Sequence, residues 1–174
     1  MRRSAGCARA ASRRSWPIGW RSGFELALAV AVACSGGSAV TAQPVTFTDH
    51  GMTQQAGNDG GARIAASVDA ARTGLGDLAP AGVTGRLFIA VFAGAQRTGG
   101  YTVRVESVER NGDRLVVRAR FVSPSPGALT IQVITSPAQL ISIPAASATN
   151  VREAVLVDES GAERARVEVS LSTP

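Results

Sequence analysis

"YTVRVESVERNGDRLVVRARF", residues 101–121, carries the pattern of a β-hairpin. Tyr101, Val103 and Val105 alternate with Thr102, Arg104 and Glu106, the two-residue period of a strand with one buried face. Val108 falls out of phase, so the spacing predicts a bulge near Ser107. Asn111-Gly112-Asp113 reads as a tight hairpin turn, because Asn-Gly accepts the positive φ angles such turns demand. Leu115, Val117, Ala119 and Phe121 then make the inward face of a returning strand, with Arg118 and Arg120 outward.

Working outward, "LFIAVFA" (Leu87 to Ala93) is almost continuously apolar, as a strand buried on both faces must be. After the hairpin, "SPSPG" (Ser123 to Gly127) breaks the pattern, since proline donates nothing to a central ladder. Further strands are expected at Leu129 to Thr135 and at Gln139 to Ile143. A last hairpin joins Arg152–Asp158 to Glu163–Leu171 around "ESGA".

Upstream, Ile64, Val68, Ala71 and Leu75 fall at helical spacing, with Arg63, Asp69 and Arg72 free to face solvent. That spacing predicts a helix over 62–78. Residues 43–61 are polar and glycine-rich and read as a flexible or edge segment, with one short strand at Val45 to Thr48. The expected fold is mainly β: an antiparallel sandwich or partial barrel of about seven strands with one helix, occupying residues 62–174.

Residues 1–42 read as an export signal. Arginines come first, then the nine-residue apolar run "LALAVAVAC" (Leu26 to Cys34), then "SGGSAVTA". Nine residues fall well short of the roughly 20 that span a bilayer. Two processing sites compete. Val40 and Ala42 fit signal-peptidase cleavage between Ala42 and Gln43, whereas "AVAC" resembles a lipobox that would lipidate Cys34. The expected location is the periplasm, cell envelope or exterior, with membrane contact only through a lipid anchor at Cys34.

The formal charge of +5 belongs to the leader. Six of the eighteen arginines precede residue 22, whereas twelve arginines balance twelve acidic residues from Gln43 onward. A neutral body has no net field to gather nucleic acid. The few aromatic residues are not interleaved with a basic stripe, so base stacking is unsupported as well.

Chemistry is sparse. His50 is the single histidine and sits in the polar segment, where it reads as a solvated surface residue. Both cysteines, Cys7 and Cys34, precede the body, so no body disulfide or CxxC knuckle forms there. No lysine exists to complete a phosphate loop. Asp158-Glu159 falls in a predicted turn, where it reads as solvated rather than as a glycosidase pair. No catalytic residues, metal or cofactor are expected.

A family resemblance runs through Val91 to Pro144, and more loosely from residue 86. Thr98-Gly99-Gly100-Tyr101, Gly112-Asp113, Pro124, Pro126-Gly127, Gln132, Thr135, Pro137 and Ile143-Pro144 stand in the order found in the PrcB family's C-terminal domain. Arg97 and Ala145 depart from that pattern, which has proline and commonly lysine there. The resemblance implies an exported, non-catalytic domain, often on a lipoprotein, that binds a protein partner, a protease in the namesake's case. Thr98–Tyr101 also resembles the threonine-glycine loop of chagasin-type cysteine protease inhibitors, which implies an alternative inhibitory role. A structural envelope protein without a specific ligand is the third reading. Thr98, Gly99, Gly100 and Tyr101 are therefore the candidate binding residues, either as a recognition loop or as a corner that glycine makes possible.

Overall fold

A computed structural model describes residues 41–57 and 60–169. Most of the leader, Cys34 included, lies outside the described residues, as do residues 170–171 of the expected last strand.

Among the described residues nine strands form two sheets. In chain order they are β1 (Gln43–Pro44), β2 (Thr48–Thr53), β3 (Arg63–Ser67), β4 (Arg86–Phe92), β5 (Thr102–Asn111), β6 (Arg114–Val122), β7 (Ala138–Pro144), β8 (Glu153–Val157) and β9 (Glu163–Glu168). One sheet has the order β1-β5-β6-β8-β9, the other β2-β7-β4-β3. Every pairing is antiparallel except β6 with β8, which a crossover through β7 in the other sheet makes parallel. The architecture is a β sandwich.

The β5–β6 hairpin forms as its alternation requires. Val103, Val105 and Val108 of β5, with Leu115, Val117 and Ala119 of β6, are buried in one core against Leu87, Ile89, Val91, Ile141 and Ile143. The register slips between Val105 and Ser107, and this bulge keeps Val108 facing inward. At the turn the positive φ falls on Gly112, at 66°.

Strands β4 and β7 are buried on both faces. Phe88, Ala90 and Phe92 point away from the inter-sheet core and pack with Leu75, Ala138 and Leu140 in a second cluster. This explains the unbroken apolar run of β4.

The helix expected over 62–78 does not form. Arg63–Ser67 is instead an edge strand on β4, with Ile64 opposite Val91. Two short 3₁₀ turns follow, Ala70–Thr73 and Gly76–Leu78, the first capped by Asp69 accepting from the Ala71 N–H. Ile64 belongs to the inter-sheet core and Leu75 to the opposite face of the same sheet. The helical spacing thus arises from a chain that passes from one sheet face to the other.

Residues 43–61 contribute edge strands to both sheets, at Gln43–Pro44 and Thr48–Thr53 rather than at Val45–Thr48. The strand expected at Leu129 to Thr135 is also absent. No strand lies beside this stretch, and only Thr135 makes a bridge, to Gln96.

Candidate functional site

The Thr98–Tyr101 turn sits where β5 begins, at the end of the β5–β6 hairpin remote from Gly112-Asp113. Thr102 pairs with Val122, so the chain leaving β6 enters the 123–137 loop directly beside this turn. The two segments interlock. The Gly99 N–H donates to the Ile131 carbonyl at 3.0 Å, and Thr135 Oγ1 donates to the Thr98 carbonyl at 3.0 Å. Gln96 and Thr135 exchange two backbone bonds of 2.7 and 2.9 Å.

The two glycines are needed for different reasons. Gly100 has φ +89°, in the left-handed region that side chains resist. Gly99 does not; it is buried, and a Cβ there would stand 2.7 Å from Ile131 Cγ1. Gly99 therefore admits the close approach of the loop, whereas Gly100 turns the backbone. Thr98 and Tyr101 are half-buried, and the Tyr101 carbonyl accepts from Gln54 Nε2 at 3.2 Å. The structure brings all four expected residues together at one corner.

The loop this corner supports carries residues that sequence reading assigned elsewhere. Leu129 is fully exposed, Ile134 is 70% and Ile131 67% exposed, and Val133 is half-exposed. Their alternation suggested a strand. The contrary signal was the bracket of Pro124, Pro126 and Pro137, together with the absence of any charged residue from Phe121 to Val151.

His50 is not the solvated residue expected. Its Nε2 lies 2.7 Å from Ser142 Oγ, and its ring stands 5.7 Å from that of Phe88. Arg86 Nε donates to the same Ser142 Oγ at 2.7 Å, and Arg86 Nη2 donates to Thr48 Oγ1 and the Ser142 carbonyl. The Ser142 hydroxyl thus sits between the His50 imidazole and the Arg86 guanidinium, hydrogen-bonded to both. Burial and the Arg86 charge hold the His50 pKa below its ordinary value against the opposing pull of Asp49. Ser142 is wholly buried, so this Ser–His contact ties β2 to β7 instead of presenting a nucleophile.

A shallow open cleft of about 410 Å³ lies between Val68–Ala71 and Gly76–Val83. Asp69, one of its two carboxylates, is engaged by the Ala71 N–H and by Arg72. Asp158 lies in the β8–β9 turn. There it accepts from Ser160 Oγ and from the N–H groups of Ser160 and Ala162, and these bonds lower its pKa, the Ser160 hydroxyl foremost. Among the described residues, no three His, Cys, Asp or Glu side chains converge as metal ligands would.

The chain's strongest feature is therefore the interlocked pair of 98–101 and 123–135, framed by β4 to β7. Residues 87–144 match the PrcB C-terminal family model. The matched residues comprise β4 without its first residue, the Thr98–Tyr101 corner, the β5–β6 hairpin, the apolar loop and all of β7. Strands β1 to β3 and β8 to β9 complete the sandwich from outside this segment. No curated protein and no solved structure matches the chain.

Proposed function

We propose that this chain is an exported, non-enzymatic accessory subunit whose β domain binds another protein, a protease of an envelope or secreted complex. The observation that carries this reading is the PrcB C-terminal segment at 87–144. An arginine-rich leader with a short apolar run and small residues before Gln43 supports export. In this reading the Thr98–Tyr101 corner shapes the binding end of the domain and holds the loop beside it in place.

The chagasin-like alternative requires Thr98–Tyr101 to enter a protease cleft as a free loop. Gly99 is buried against Ile131 and Gly100 faces Pro124, which favours the accessory reading over the inhibitory one.

Affinity purification of the tagged full chain from its native envelope tests the proposal. A protease recovered in constant ratio, with no inhibition of a papain-type cysteine protease by the purified chain, is the expected result. Tight inhibition of such a protease would support the alternative. Recovery of no protease would leave a structural envelope role.

A further inference from the structure

Leu129, Ile131, Val133 and Ile134 are exposed apolar side chains on one loop, whose backbone is held at several points. Ile131 is bonded to Gly99, Thr135 to Gln96 and Thr98, and the Ala128 N–H donates to the Ser125 carbonyl. A pinned backbone has little ordering entropy left to lose on binding. Contiguous exposed apolar side chains on a folded domain mark interaction sites.

The described domain begins and ends away from these side chains. Gln43 pairs with Arg110, and the Arg152 N–H, which donates to the Asp113 carbonyl, neighbours the exit at Val169, bonded to the Arg152 carbonyl. Entry and exit therefore both lie at the Gly112-Asp113 end of β5. The loop lies at the other end, about 30 Å away along a ten-residue strand.

Charge and size narrow the occupant further. No charged residue occurs between Phe121 and Val151, and the loop has no Trp or Tyr. Loops that bind bilayers pair cations with headgroups and seat aromatic rings at the interface, and this one has neither. An isologous contact between two copies would set this loop against itself, apolar side chain against apolar side chain rather than into a pocket. A few apolar anchors filling a partner's pocket is how a small cluster contributes most.

We propose that Leu129, Ile131, Val133 and Ile134 anchor the domain in an uncharged apolar cleft of a different protein. This deepens the accessory-subunit reading and rests on it.

Site-specific photocrosslinking in the full chain, in its native envelope, tests the anchor. Benzoylphenylalanine replaces Leu129 or Ile134, with exposed Asn111 at the opposite end as the control position. Both loop positions are expected to give an adduct with one and the same other protein, identified by mass spectrometry, and Asn111 none. The double variant Leu129→Asp/Ile134→Asp is expected to reduce recovery of that protein at least about tenfold, with an unchanged melting temperature because both side chains are in solvent. An adduct containing only this chain, an adduct with lipid, or no adduct at the loop would overturn the proposal. A protease that co-purifies equally with the double variant would overturn the anchor and leave the accessory reading standing. A loop partner that belongs to no proteolytic complex would do the reverse.

Discussion

The side-chain carbonyl of Gln139 accepts the backbone N–H of Val105 at 2.6 Å, across the gap between the two sheets. Gln139 lies on β7 and is 1% exposed; Val105 lies on β5, at the bulge. Strand β1 pairs with β5 only at Glu109 and Arg110, so beyond it that edge of β5 has no strand neighbour among the described residues. The glutamine supplies the acceptor that a neighbouring strand would otherwise provide.

Gln139→Met keeps the volume and removes the acceptor, leaving a buried N–H unsatisfied. The expected loss is about 1–3 kcal/mol of unfolding free energy in a urea titration. An unchanged midpoint would mean that water or a shifted β5 replaces the bond.

The glycine pair separates backbone strain from crowding. Gly100→Ala is expected to cost about 1–2 kcal/mol, because its φ of +89° is costly for any side chain. Gly99→Ala meets no such strain, and exposed Ile131 can move aside, so its melting temperature should fall less. Amide chemical shifts around Ile131 should nevertheless move more in Gly99→Ala than at any site far from the loop. The opposite ranking of melting temperatures would place the strain at Gly99.

Stability should depend on pH through His50. Its pKa lies below the ordinary 6.5 in the folded chain, so protons bind the unfolded chain more readily. The contribution is fully present above about pH 6.5 and is lost as pH falls through the folded value. His50→Phe should flatten the melting-temperature profile in that range while leaving the decline below about pH 4, where Asp158 and Glu163 titrate from lowered values. The same slope in wild type and variant near pH 6 would remove His50 as its source.

Export should leave a mature protein that starts at Cys34 or Gln43. Intact-mass measurement of envelope protein is expected to find one of these two ends. Cys34→Ser should release the protein from membranes if the first is right and change nothing if the second is. Cleavage before Gln43 would make the first residue of β1 the new terminus. Retention of Arg2 to Arg21 in the envelope protein would refute the leader.

Legibility followed the range of the interactions involved. The β5–β6 hairpin, its bulge and its turn were readable because each depends on neighbours a few residues apart in sequence, and β4 was readable because burial on both faces leaves an unbroken apolar run. The segments at 62–78 and 129–135 were misread because their patterns are compatible with more than one structure. Ile64 and Leu75 match a helical face, yet β4 offers an edge to pair with, and pairing places them on opposite faces of one sheet. Leu129, Ile131 and Val133 match a strand face, yet no strand lies beside them, so a sequence that could pair stays in solvent.

The candidate site divides in the same way. The β class, the neutral body and the Thr98–Tyr101 turn were legible from the residues alone, since alternation, charge and glycine act locally. That Gly99 lies against Ile131, that His50 meets Ser142 and that four apolar side chains face water came from the folded arrangement. Each of these depends on which distant segments the two sheets bring side by side, and pairing between strands far apart in the chain leaves no local periodicity to read.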